Sequence, residues 1–84
     1  MKIIKIEGYP DQTSFACPTI FEFDDVNKDY YYFRVRHGCW RLQNETTDET
    51  VAYGDASILG VDGVCSWDEA RMLCASEKVF IIMD

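Results

Sequence analysis

Residues 29–43, DYYYFRVRHGCWRLQ, decide the fold. β-Branched and aromatic side chains suit a pleated, half-buried surface, and successive side chains on a strand point to opposite faces. Two antiparallel strands, 30–36 and 39–43, joined by a two-residue turn at His37-Gly38, place Val35 opposite Trp40 and Phe33 opposite Leu42. The apolar residues then share one face with Tyr31, which is how a buried face fixes register. Tyr30, Tyr32, Arg34, Arg36 and Arg41 point the other way, with Arg34 directly across from Arg41. Such a turn favours Asn-Gly or Asp-Gly, although histidine enters the left-handed region more readily than most residues.

Just upstream, TIFEFD (19–24) alternates, with Phe21 and Phe23 inward and Glu22 and Asp24 outward. A three-residue loop at Val26-Asn27-Lys28 sets Phe23 opposite Tyr31 and Phe21 opposite Phe33, so 19–43 forms a meander. The same register puts Glu22 opposite Tyr32 and diagonal to Arg34. Residues 2–7 make a first strand with Ile4 and Ile6 inward, or Ile3 in the other register. Gly8-Tyr9-Pro10-Asp11 is turn chemistry, and a polar loop follows to Ala16.

Downstream, NETTDET is turn-like and VAY (51–53) has the composition of a short strand. GDASILGVDG holds too many glycines for a helix and is expected to wrap over the sheet edge as an ordered loop. Ser66 followed by Glu69 is a capping box that opens a helix over 66–76, with Asp68 and Glu69 at the positive end of its dipole. Trp67, Ala70, Leu73 and Cys74 recur at helical spacing, ending on the stem of Glu77. VFIIM (79–83) is apolar on both parities, the pattern of an interior strand covered by the helix. The expected architecture is α+β: one domain spanning 1–84, with an antiparallel or mixed sheet of about five strands and the helix on one face.

Composition narrows the function. At 84 residues the chain supports one modest core. Its net charge of −7 argues against direct, sequence-independent binding to nucleic acid or an anionic membrane. No run is long enough to span a membrane. MKIIKIEGYP alternates Lys with Ile and lacks the continuous apolar stretch of a signal peptide, so a cytoplasmic location is expected. Cys17, Cys39, Cys65 and Cys74 are too few for a disulfide scaffold and are expected as buried thiols.

Two metal sites come into question. Asp62 through Glu69 matches the second half of an EF-hand loop, but Ile58 and Gly60 stand where oxygen ligands belong in 58–69. His37 and the four cysteines offer soft ligands for zinc, yet no Cys-x-x-Cys pair is present and Cys65 and Cys74 are nine apart. Neither is a strong signal, and no cofactor is expected. The only histidine has no sequence-evident nucleophile beside it, and GVDG lacks the Lys-Ser/Thr of a phosphate loop. An enzyme is the least favoured reading.

Two charged surfaces remain. Tyr and Arg dominate interface hot spots, which makes Tyr30, Tyr32, Arg34, Arg36 and Arg41 candidate partner-binding residues. Like charges directly opposite are unfavourable, so Glu22, Asp24 or Glu45 is expected to reach over to the arginines if a partner does not. Between Leu42 and Ala70 all charge is acidic, and Glu45, Asp48, Glu49, Asp55 and Asp62 form a second candidate surface. Such carboxylates can imitate a phosphate backbone in a basic groove. The expectation is a small acidic protein that binds another protein without catalysis. Its concrete form is an inhibitor of a nucleic-acid-handling complex, as in phage or mobile-element anti-defence of the anti-CRISPR type. The alternatives are a metal-binding module and a self-associating accessory subunit, with a homodimer as its simplest form.

Overall fold

The computed structural model describes residues 1–16, 18–57 and 63–83. Among these residues, seven strands and one α-helix follow in the order β1 (Lys2–Ile6), β2 (Asp11–Phe15), β3 (Thr19–Asp24), β4 (Tyr30–Arg36), β5 (Cys39–Asn44), β6 (Glu49–Asp55), α1 (Trp67–Ser76) and β7 (Val79–Met83). Strands β2 to β6 form an antiparallel sheet in sequence order, and β1 pairs in parallel with β7 as a separate two-stranded sheet. The class is α+β, as the sequence implies.

The meander holds the expected register throughout. Phe21 faces Phe33, Phe23 faces Tyr31, Val35 faces Trp40 and Leu42 faces Phe33. His37 (φ 53°) and Gly38 (φ 74°) both lie in the left-handed region, the signature of the type I′ turn whose twist matches its strands. One face of the sheet is therefore a continuous apolar layer. Phe23 stacks on Tyr31 at 5.4 Å and Phe33 on Trp40 at 5.8 Å between ring centroids. Trp67 at the start of α1 closes over Phe21 and Phe23 at 5.2 and 5.4 Å. Aromatic pairs in this range add about 0.5–1.5 kcal/mol each beyond simple burial.

The helix begins as expected. Ser66 caps it, its Oγ accepting from the Glu69 amide at 3.1 Å while Glu69 Oε1 accepts from the Ser66 amide at 2.9 Å. Ala70, Leu73 and Cys74 are buried in the same core as Ile4, Ile6, Val79 and Ile81. Glu77 is the exposed C-cap and adds nothing to that stripe.

Three elements differ from the sequence reading. Residues 11–15 are an edge strand where a polar loop was expected. DQTSF has no apolar alternation because neither face of this strand enters the core. β6 extends well beyond VAY, from Glu49 to Asp55. β7 is not an interior strand of the main sheet: its only partner among the described residues is β1, and Phe80 and Ile82 are exposed while Val79 and Ile81 are buried. The apolar residues on both parities thus serve a core on one side and an open groove on the other. Both edges of the five-stranded sheet carry a register shift, between Gln12 and Ser14 and opposite Leu42 and Gln43. Such irregularities discourage edge-to-edge pairing.

Candidate functional site: an uncovered sheet face with two charged ends

With the apolar layer turned inward, the outward residues of β3, β4, β5 and β6 are all exposed or half-buried. Their charges separate by end. The β3–β4 turn and the β5–β6 turn lie side by side at one end, tied by the Glu45 amide donating to the Tyr30 carbonyl at 2.7 Å and the Tyr30 amide donating to Thr46 Oγ1 at 2.8 Å. A further tie runs from Asn44 Nδ2 to Asp29 Oδ2 at 3.2 Å. This adjacency collects Asp24, Asp29, Glu45, Asp48 and Glu49, with Lys28 as the basic residue among them.

Two side chains build these turns. The buried Asp25 carboxylate accepts from the amides of Asn27 and Asp29 at 2.8 and 2.9 Å and from the Tyr31 hydroxyl at 3.3 Å. Burial, then the Asp25 charge, pushes the Tyr31 phenol up to about 12. Asn44 Oδ1 accepts from the amides of Thr46 and Thr47 at 2.9 and 3.1 Å, side-chain turn chemistry typical of Asn and Asp. Asp48, at φ 61°, accepts from Gln43 Nε2 at 3.2 Å.

The opposite end is basic. Arg34 faces Arg41, Arg36 faces Cys39, and beyond them Tyr53 faces Arg41 and Asp55 faces Cys39. Together they line a groove of about 580 Å³. Glu22 does not turn toward these arginines. Its carboxylate accepts from the Tyr30 hydroxyl and then from Thr13, contacts that hold it below the usual carboxylate range and lift the Tyr30 phenol to about 12. Arg36 Nε instead donates to His37 Nε2 at 3.1 Å.

The sequence-selected residues therefore divide. Tyr30 and Tyr32 lie toward the acidic end with Glu45, Asp48 and Glu49, while Arg34, Arg36 and Arg41 lie at the other with Asp55. The acidic run from Glu45 onward does not form one shell, because Asp55 sits a whole strand away from Glu49 and Asp68 belongs to α1. Asp62, with Ile58 and Gly60 of the EF-hand-like loop, lies outside the described residues, as does Cys17. Glu69, the last ligand that loop would need, is engaged in the helix cap. Among the described residues no three His, Cys, Asp or Glu side chains converge as a metal site. Cys65 and Cys74 are buried and Cys39 is exposed. Burial raises the Cys65 and Cys74 thiols to about 11 and 12.

One further feature is carried by the second apolar parity of VFIIM. Met1, Ile3, Met72, Phe80 and Ile82 line an apolar groove of about 750 Å³ between α1 and the β1–β7 pair, with Asp68 and Arg71 at its rim. Arg71 donates through Nε and Nη2 to the Ile81 carbonyl at 3.2 and 2.9 Å, stapling helix to strand. No helix among the described residues is long and apolar enough to cross a membrane. Comparison with family models, curated proteins and solved structures gave no match, so the functional reading rests on this geometry.

Proposed function

We propose that the chain is a small, non-enzymatic protein that works by binding another protein, and that its acidic end is the docking surface. The observation that carries this is the convergence of two neighbouring turns into one cluster of exposed carboxylates beside Tyr30. Backbone and side-chain hydrogen bonds hold those turns in place, so little ordering cost remains to be met on association. A partner with a basic groove is the complement, and a nucleic-acid-handling complex supplies such a groove. Occupying it would exclude nucleic acid, which is the action of an anti-defence inhibitor of the anti-CRISPR type. Charge pairing of this kind gives fast, salt-sensitive association.

The test is capture of the partner from host lysate by the wild-type chain and by a Glu45→Lys/Glu49→Lys variant. Wild type is expected to release its partner steeply with added salt and in competition with double-stranded DNA. The variant is expected to bind at least roughly tenfold more weakly at an unchanged melting temperature. Undiminished capture by the folded variant would refute the acidic end as the docking surface.

A second reading, a self-associating accessory subunit, is supported by the apolar groove beside α1. Contiguous exposed apolar surface of this kind marks interaction sites. Its rim charges, Asp68 and Arg71, are opposite in sign, so two copies of an acidic chain can meet there without local repulsion. Light scattering decides it: a dimer that Phe80→Glu returns to a monomer supports this reading, and a wild-type monomer at 100 µM, a concentration of order ~10⁻⁴ M, removes it.

A further inference from the structure

Among the described residues, the arginine end carries an excess of positive charge over its lining carboxylates. Arg34 and Arg41 are cross-strand neighbours, Arg36 lies on the same face two residues from Arg34, and Asp55 is the one carboxylate among the groove residues. That carboxylate accepts from the Ser57 amide at 2.8 Å, and its bonds to Ser57 hold it below the usual carboxylate range. Three guanidiniums against one carboxylate leave this groove net positive within a chain of net charge −7. The acidic end does not cancel it. Tyr30 and Arg36 lie six residue steps apart along β4, roughly 20 Å at strand rise, whereas charges are screened beyond about 8 Å at physiological ionic strength.

The groove has a shape as well as a charge. Tyr53 is 70 % exposed and stands directly across from Arg41, so its ring borders the guanidinium cluster. A volume of about 580 Å³ falls in the range of small-molecule sites, roughly 300–1,000 Å³. Guanidiniums recognise phosphate oxygens by paired N–H donors, and an exposed ring offers a stacking platform for a planar base. The geometry points to a binding site for a free nucleoside polyphosphate, its phosphates on Arg34, Arg36 and Arg41 and its base against Tyr53. A long nucleic acid strand is disfavoured because it would extend from this groove toward the carboxylates. This inference does not depend on the acidic end as a docking surface.

Calorimetric titration of the full chain with ATP, inorganic tripolyphosphate, adenosine and a 5′-phosphorylated single-stranded oligonucleotide tests it, all without magnesium. ATP is expected to bind most tightly, tripolyphosphate more weakly and adenosine least. Arg41→Gln should weaken ATP by roughly tenfold, the loss of one charge-assisted phosphate contact, with no fall in melting temperature. Tyr53→Ala should bring ATP down to the affinity of tripolyphosphate. No heat with millimolar ATP, ATP binding indifferent to Arg41→Gln, or binding of the oligonucleotide in preference to ATP would each overturn the assignment.

Discussion

The two ends of the five-stranded sheet share strands, a face and a core, yet differ in every property that meets the solvent. One end is made by two adjacent turns rich in Asp and Glu, each braced by a buried side chain, Asp25 or Asn44. The other flanks a two-residue turn set by backbone conformation and tied by the Ala56 amide donating to the Gly38 carbonyl at 2.7 Å, and arginines occupy its outward positions. The difference teaches that a net charge of −7 is an average over two surfaces that do not cancel. It also separates the determinants. At the acidic end charge and stability are intertwined through carboxylates that serve the turns, whereas at the basic end charge is an addition to a hairpin that would form without it.

The sharpest way to break this contrast is Asp25→Ala. Two backbone amides and the Tyr31 hydroxyl would lose a buried anionic acceptor. Stranded buried donors of this kind cost about 1–3 kcal/mol each, so a total loss of about 3 kcal/mol in urea unfolding is expected. No single truncation of an outward side chain at the arginine end should approach it.

The core beneath both ends gives the next effect, a loss of stability in alkali. Cys65, Cys74 and Tyr31 are neutral when protonated, and burial raises their folded values to about 11, 12 and 12. Because these lie above the ordinary thiol and phenol values, the stabilisation is complete below about pH 9 and is lost as pH rises toward 12. Melting temperatures measured at pH 8, 10 and 11 should fall in that order, and Cys74→Ala should shallow the decline. A flat profile would show that these groups titrate as they do in the unfolded chain.

Smaller changes sharpen the picture of the basic end. Arg41→Thr removes the like-charge pair with Arg34 and should raise stability by about 0.5 kcal/mol. The gain should shrink in high salt, where the repulsion is screened. His37→Asn installs the preferred dipeptide for this turn and should stabilise by a few tenths of a kcal/mol, visible as a slightly higher urea midpoint.

Much of this was legible in the sequence, and the reason is physical. Where period-2 alternation meets a buried layer, as in Phe21, Phe23, Tyr31, Phe33, Val35, Trp40 and Leu42, a one-residue slip would expose every ring, so the pattern dictates register. The Ser66–Glu69 cap is equally local. What escaped notice lacks that coupling. β2 is polar on both faces and is held by backbone bonding to β3, which leaves no trace in DQTSF. The separation of β1–β7 from the main sheet depends on which edge VFIIM meets, a tertiary choice. The two charged ends needed the turns to be adjacent in space. Glu45 and Asp24 are 21 residues apart in the chain, and linear spacing cannot bring them together.

The most direct test of an outward face divided into acidic and arginine-rich ends is paramagnetic relaxation of amide signals by small charged nitroxides. A cationic probe should broaden the amides of Asp24, Glu45 and Glu49 most, and an anionic probe those of Arg34, Arg41 and Tyr53. Both effects should fade as salt is added. Equal broadening of the two ends by either probe would mean that the face is electrically uniform, and the division described above would be wrong.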